Sequence, residues 1–234
     1  MPLDYVYVGL FALAVLVISY GAVDDIFNRS VNQFLFVPVL AGGLVYAFVT
    51  GGDIVVPLAL AGMFVGCFFS EKQIHFLVLE TVIFAVAVAF SITLGIFGFP
   101  LVIGYVYVLV AGLRYMGVGD VKAVLSLITA FPYPLFFLLH SNFMQAIPFS
   151  FYLMLNSSLA SLFFIPYVLA LNFTRGALRE RWSFYALPYD EEEYRKNDHK
   201  YKLREISGKR VMIYQIPALV PITIGFLAVA LMGI

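Results

Sequence analysis

Two carboxylate motifs interrupt an otherwise apolar chain. Asp24-Asp25 directly follows the first hydrophobic run, and Gly117-Val118-Gly119-Asp120, with Lys122 just beyond, sits between two later runs. Carboxylates at a membrane boundary are costly to hold, so they are functional candidates by default. Two that meet in space can share one proton. Like charges a few ångströms apart push the two apparent pKa values apart, leaving one carboxyl neutral and its neighbour ionised. Such a dyad hydrolyses peptide bonds: the ionised partner draws a proton from water, and the neutral one donates to the scissile carbonyl. That chemistry needs no nucleophilic side chain, and the expectation is no metal and no cofactor.

The chain lacks the parts for other hydrolytic schemes. His75, His140 and His199 are scattered, with no His-Glu-x-x-His pattern for zinc, and no serine lies in a Gly-x-Ser-x-Gly turn. The single cysteine, Cys67, can form neither an internal disulfide nor a thiolate cluster, and reads as a small buried hydrophobe. Gly117 and Gly119 are the expected shapers of the acidic motif. They allow backbone conformations closed to other residues and let a substrate strand come close. Asp120 then lies near the start of the next helix, where the dipole favours its ionised form. A plainer reading of the same residues is a glycine turn with Asp120 as helix N-cap.

The elements that must carry these motifs are apolar helices. The 234 residues are 62% hydrophobic and 12% charged, where soluble domains average about 25% charged. The expected fold is an all-α polytopic membrane protein. Net charge is zero, so no nucleic-acid partner is expected. A helical span needs about 20 apolar residues. The runs are Leu3–Val23, Phe34–Thr50, Ile54–Phe69, His75–Phe97, Phe99–Tyr115, Val121–His140, Ala146–Asn172 and Ile216–Ile234. Ile54–Phe69 is short, Phe99–Tyr115 follows closely after Gly98, and Val121–His140 contains Pro132 and Pro134. Six to eight transmembrane helices are therefore expected. No basic leader or small-residue cleavage site opens the chain, so the first run reads as a retained span.

Charge sets the orientation. If all the runs cross, every Lys and Arg falls at or near connections on one side: Arg29, Lys72, Arg114, Lys122, Arg175 and the polar segment after it. The other side keeps Asp4, Asp53 and His140. Positive charge marks the cytoplasmic face, so both acidic motifs are expected at the cytoplasmic boundary of a multi-pass cell-membrane protein. Three regions follow: a transmembrane catalytic bundle at 1–174, a small cytoplasmic segment at 175–215, and a C-terminal transmembrane helix at 216–234. The polar segment is too short to fold alone without help and is expected to fold back onto the membrane face. Trp182–Tyr189 and Arg210–Tyr214 are candidate strands, and Asp190-Glu191-Glu192-Glu193 a solvated loop or helix start. Glu80, about five residues inside a run, is expected to reach the interface or a polar neighbour, with a role beside the dyad as the alternative. Lys122 and Arg114 read as cytoplasmic anchors.

The paired motifs carry a resemblance. With Gly-Val-Gly-Asp-Val-Lys at 117–122, the stretch Asp25-Ile26-Phe27-Asn28-Arg29-Ser30-Val31 resembles the type IV prepilin peptidase and archaeal preflagellin (prearchaellin) peptidase family, membrane aspartic proteases of the GxGD type. In that family the first catalytic aspartate ends the first span, followed by a basic residue and then an aliphatic one at the offsets of Arg29 and Val31 from Asp25. The resemblance thus implies Asp25 and Asp120 as catalytic, with Asp24 the alternative to Asp25. It implies cleavage of short basic leaders from type IV pilin-like or archaellin precursors at the cytoplasmic membrane boundary, with those precursors and the lipid bilayer as partners. Ile216–Gly225 is similar to the closing span of the archaeal branch.

Departures are visible. Asn32 and Gln33 stand where the bacterial branch usually has Pro and Asp or Asn. The bacterial zinc-binding cysteines are missing, so no methyltransferase activity is implied. Ile54–Phe69 and His75–Phe97 lengthen the stretch between the aspartates beyond what the resemblance implies. Two other readings stand beside it. The presenilin and signal-peptide-peptidase branch shares GxGD, and Pro217-Ala218-Leu219 is similar to its Pro-Ala-Leu motif, although its first aspartate lies within a continuous hydrophobic helix. A non-catalytic scaffold or transporter would use the aspartates as interfacial caps.

Overall fold

A computed structural model describes residues 5–28, 31–32, 34–50, 54–69, 73–91, 99–112, 117–131, 149–180, 183–206, 208–214 and 217–232. The chain is mostly helical. The first six helices are α1 (Tyr5–Asn28), α2 (Val37–Val49), α3 (Val55–Gly66), α4 (Gln73–Ser91), α5 (Phe99–Gly112) and α6 (Val118–Ala130). Then come α7 (Phe149–Leu162), α8 (Phe164–Thr174), the short α9 (Glu191–Lys196) and α10 (Leu219–Met232). A 3-10 turn, Cys67–Phe69, continues α3. Pro166 explains the break between α7 and α8: without an N–H it cannot bond the Leu162 carbonyl, and Phe163 N–H turns instead to Ala160 O at 3.2 Å. The prolines 132 and 134 lie outside the described residues.

α6 is the central element. Every residue from Val121 to Ala130 is buried, as suits a helix that is apolar nearly all round. It packs against α2, α3 and α5, and more lightly against α1 and α10. Small residues let the helices close. A Cβ on Gly43 of α2 would stand 2.5 Å from Ala130 Cα, and one on Gly225 of α10 would overlap Ser157 of α7. These are the close approaches that small residues permit between apolar helices. Just past the C-terminal end of α6, Phe131 touches Tyr7, Phe11, Phe149 and Phe226 through tilted or edge-on rings 5.6–6.3 Å apart.

Among the described residues two helical stretches are long and apolar enough to cross a membrane, Tyr5–Asn28 and Phe149–Thr174. Five shorter apolar helices of 10–17 residues accompany them. The expected six to eight crossings are therefore represented by two full-length candidates. They point to a membrane protein.

The all-α expectation needs one correction. The polar segment holds a three-stranded antiparallel sheet in the order β1 (Ala186–Pro188), β3 (Lys209–Tyr214), β2 (Tyr201–Ile206). Strands were expected near β1 and β3. β2 was hidden by its composition, Tyr-Lys-Leu-Arg-Glu-Ile, whose charges are exposed. It pairs with β3 from Tyr201↔Tyr214 to Ile206↔Lys209, and Gly208 takes φ 75° at the hairpin turn. The sheet docks on α8. Leu187, Tyr201 and Met212 pack with Val168, and the Asn172 amide donates to the carbonyls of Ser183 (2.5 Å) and Ala186 (2.7 Å). The acidic run is a helix start: Asp190 caps α9 by accepting from Glu193 N–H at 3.0 Å.

Candidate active site

Asp24 and Asp25 lie within the last turn of α1 rather than beyond it. Successive helical side chains diverge by about 100°, and the structure separates the two. Asp24 is half-buried, and its Oδ1 accepts from Asn28 Nδ2 at 2.5 Å, one turn on. That local bond carries the helix past the charged pair. Asp25 turns inward and is 8% exposed. Its Oδ2 accepts from Leu219 N–H, the first residue of α10, at 3.3 Å. Thr223 Oγ1 lies 2.8 Å from Leu219 O and 3.3 Å from Ile18 O, tying the start of α10 to α1.

Asp120 is the third residue of α6 and half-buried. Its Oδ2 accepts from Gly117 N–H at 3.2 Å. Gly117 has φ −69° and ψ 145°, extended backbone that any residue adopts. Positive φ among the described glycines occurs at Gly176 and Gly208. The expected conformational freedom at Gly117 and Gly119 is therefore not what the motif uses. Gly117 matters through space, since a Cβ there would stand 2.8 Å from Asp120 Oδ2. A Cβ on Gly119 would meet nothing within 4 Å, so the motif opens on that side. Asp120 is not the N-cap either. It supplies the reciprocal half of a capping box, reaching back to the N-cap backbone.

Capping does not account for Asp25. Burial first, and the nearby Asp25 carboxyl second, push Asp120 from the usual 3.8 up to about 7, against the Gly117 hydrogen bond, which lowers it. Three helix ends thus meet: the last turn of α1 and the first turns of α6 and α10. The Leu219 N–H is the site group that sequence reasoning missed. Its signal was present in Pro217, which precedes a helix start.

Other sequence candidates fall elsewhere. Lys122 was expected as a boundary anchor but is fully buried, its Nζ 3.1 Å from the centroid of the Phe68 ring. Glu80 is also fully buried and does not reach an interface. Neither of its oxygens has a hydrogen-bond partner among the described residues. Cys67 is buried, as read from its run. His75 is exposed, while Arg29, Arg114, Gln33 and His140 lie outside the described residues. Among the described residues no three His, Cys, Asp or Glu stand together as a metal group. A cleft of about 500 Å³ in the polar segment, lined by Arg179, Glu180, Lys209 and Arg210 among others, includes neither aspartate.

The arrangement can do acid–base chemistry. One carboxyl holds its proton to near neutral pH, and the other accepts an amide N–H at a helix start, a donor suited to a carboxylate. No protein-family model, curated protein or solved structure matches this chain.

Proposed function

We propose that the chain is a multi-pass membrane aspartic endopeptidase of the prepilin or preflagellin peptidase type. Its substrates are type IV pilin-like or archaellin precursors, cut where a short basic leader joins a hydrophobic helix at the cytoplasmic membrane boundary. The observation that carries this reading is the approach of Asp25 and Asp120 from separate helices, with the two carboxyls in unlike surroundings. A pair of titratable groups driven apart by environment is the signature of an acid and a base.

In this reading ionised Asp25 takes a proton from a water whose oxygen attacks the scissile carbonyl. Protonated Asp120 donates to the carbonyl oxygen. Collapse of the resulting gem-diol returns that proton to Asp120 and passes the one on Asp25 to the leaving amine. Both carboxyls regain their starting states. The open space beside Gly119 leaves room for an extended substrate strand. The outward-facing Leu16, Phe48, Phe90 and Phe163 suit a bilayer around the bundle. The basic residues at the connections support a cytoplasmic site.

A second reading, a presenilin or signal-peptide-peptidase-like intramembrane protease, is favoured by the Leu219 bond, because Leu219 closes the Pro-Ala-Leu segment. The location of Asp25 in the last turn of α1 favours the boundary protease. The test is to incubate membranes containing the protein with several pilin-like precursors and with a helix lacking a leader. Loss of the leader, seen as a mobility shift, is expected for a precursor. Cleavage of the leaderless helix alone would favour the second reading. A non-catalytic scaffold would cut neither. Its aspartates also need not share a face, so cysteines at Asn28 and Val118 that label from opposite sides would favour it.

A further inference from the structure

The first turn of α6 carries a second buried charge that the dyad does not use. Lys122 lies two residues beyond Asp120, about 200° round the helix, so its side chain leaves from the opposite face. There it has no exposed surface. Its Nζ sits 3.1 Å from the Phe68 ring centroid and 5.8 Å from that of Phe64. The quadrupole of an aromatic face attracts a cation, most strongly when water is excluded. Cys67, between those two rings in sequence, lies within electrostatic reach of both the Lys122 ammonium and the Glu80 carboxyl. Glu80 enters from α4, and its Oε1 rests where a Cβ on Gly66 would be. Fully buried lysines and glutamates are rare unless compensated. Here the two converge on the end of α3, behind the catalytic turn.

From this geometry we infer that Lys122 is a positioning residue for the dyad. Seated on Phe68 and beside Phe64, it fixes the rotation of the first turn of α6 that turns Asp120 toward Asp25. The inference rests on the protease reading for its catalytic consequence but not for its structural one. Rotating that turn by a fraction of a residue would swing the Asp120 carboxyl off Asp25 while leaving the Gly117 cap intact, since cap and carboxyl move together.

The test separates the two readings. In full-length protein with Cys67→Ala, Asp25→Cys and Asp120→Cys, mild oxidation should form a disulfide. Adding Lys122→Met, which keeps the apolar stem, should slow its formation by at least about tenfold, the worth of a desolvated cation on an aromatic face. Phe68→Leu, which keeps Lys122 but removes the ring, should slow it as well. In protein with both aspartates intact, Lys122→Met should lower kcat for precursor cleavage by about 100-fold with KM nearly unchanged, the cost of a small misplacement. Equal disulfide rates in the parent, Lys122→Met and Phe68→Leu proteins would overturn the inference and leave the dyad standing. Undiminished kcat in the Lys122→Met protein with both aspartates intact would also overturn the inference, whereas no precursor cleavage by the parent would overturn the protease reading instead.

Discussion

The bundle and the polar segment treat their charges in opposite ways. In the segment, each of three cations has a carboxylate partner: Arg175 with Glu193 at 2.5 Å, Arg195 with Glu191 at 2.6 Å, and Lys209 with Glu180 at 2.6 Å. Tyr201 Oη adds a donor to Glu193, also at 2.5 Å. This is a satisfied network at a half-wet surface. In the bundle, two carboxyls approach each other, and a third, Glu80, is buried with both oxygens unpartnered among the described residues. Burial of like charges costs stability, and a fold keeps such a feature where chemistry requires it. In the proposed reading the difference makes α1, α6 and α10 the working part, and the sheet a fitting held to α8.

Breaking the bundle's arrangement should have the largest effect. Asp25→Ala is expected to lower precursor cleavage by at least about 100-fold, the usual worth of a positioned acid or base. Asp24→Ala should keep most of the activity, because its partner is Asn28 on the outer face. Rates measured on the two purified variants check this. The reverse outcome would move the first catalytic role to Asp24.

The pH dependence should follow Asp120. Its carboxyl is raised to about 7, so the protonated form needed for catalysis is lost as pH rises through that value. The alkaline limb of kcat/KM should therefore fall near pH 7. A profile flat from pH 6 to about 9 would remove Asp120 as the acid.

The same shift acts on stability. A carboxyl raised on folding binds its proton more tightly in the native state than in the unfolded chain. Stability is then highest below the usual 3.8, falls as pH rises toward about 7, and stays low above it. Asp120→Asn removes this penalty. Thermal unfolding in detergent should show the variant more stable than the parent at pH 8, with the gain shrinking by pH 5. An equal difference at both values would mean that Asp120 does not titrate in this range.

The smallest effect is expected in the polar segment. Glu193→Gln weakens a half-buried ion pair and one hydrogen bond, worth about 1 kcal/mol or less together. Precursor cleavage by intact protein should be nearly unchanged. A large loss of rate would mean that the sheet contributes to the site, and the contrast between the two regions would fail.

Much of this was legible in the sequence because apolar runs and turn residues report helices directly. Helices α2, α3 and α5 start within three residues of the expected runs, since Gly51-Gly52-Asp53 and Gly98 punctuate them. The acidic motifs were legible because charge is conspicuous in an apolar chain. Three things were not. Two strands of the sheet were expected, but its middle-sequence strand β2 and its docking on α8, through Asn172 and Val168, are reported by no local pattern. The roles of Gly117 and Gly119 depend on the space beside them and not on backbone angles. The burial of Lys122 depends on the rings of Phe64 and Phe68, brought to it by packing. Boundary lysines usually face water, and here tertiary contact overrides that tendency.

The central claim is that Asp25 and Asp120 act together on a peptide bond. The most direct measurement is leader release from a pilin-like precursor by parent protein, Asp25→Asn and Asp120→Asn, each reconstituted in liposomes at matched amounts. The parent should cut at the junction of leader and hydrophobic helix. Each single variant should release no leader, since an amide cannot cycle a proton. Full leader release by Asp120→Asn would contradict the claim.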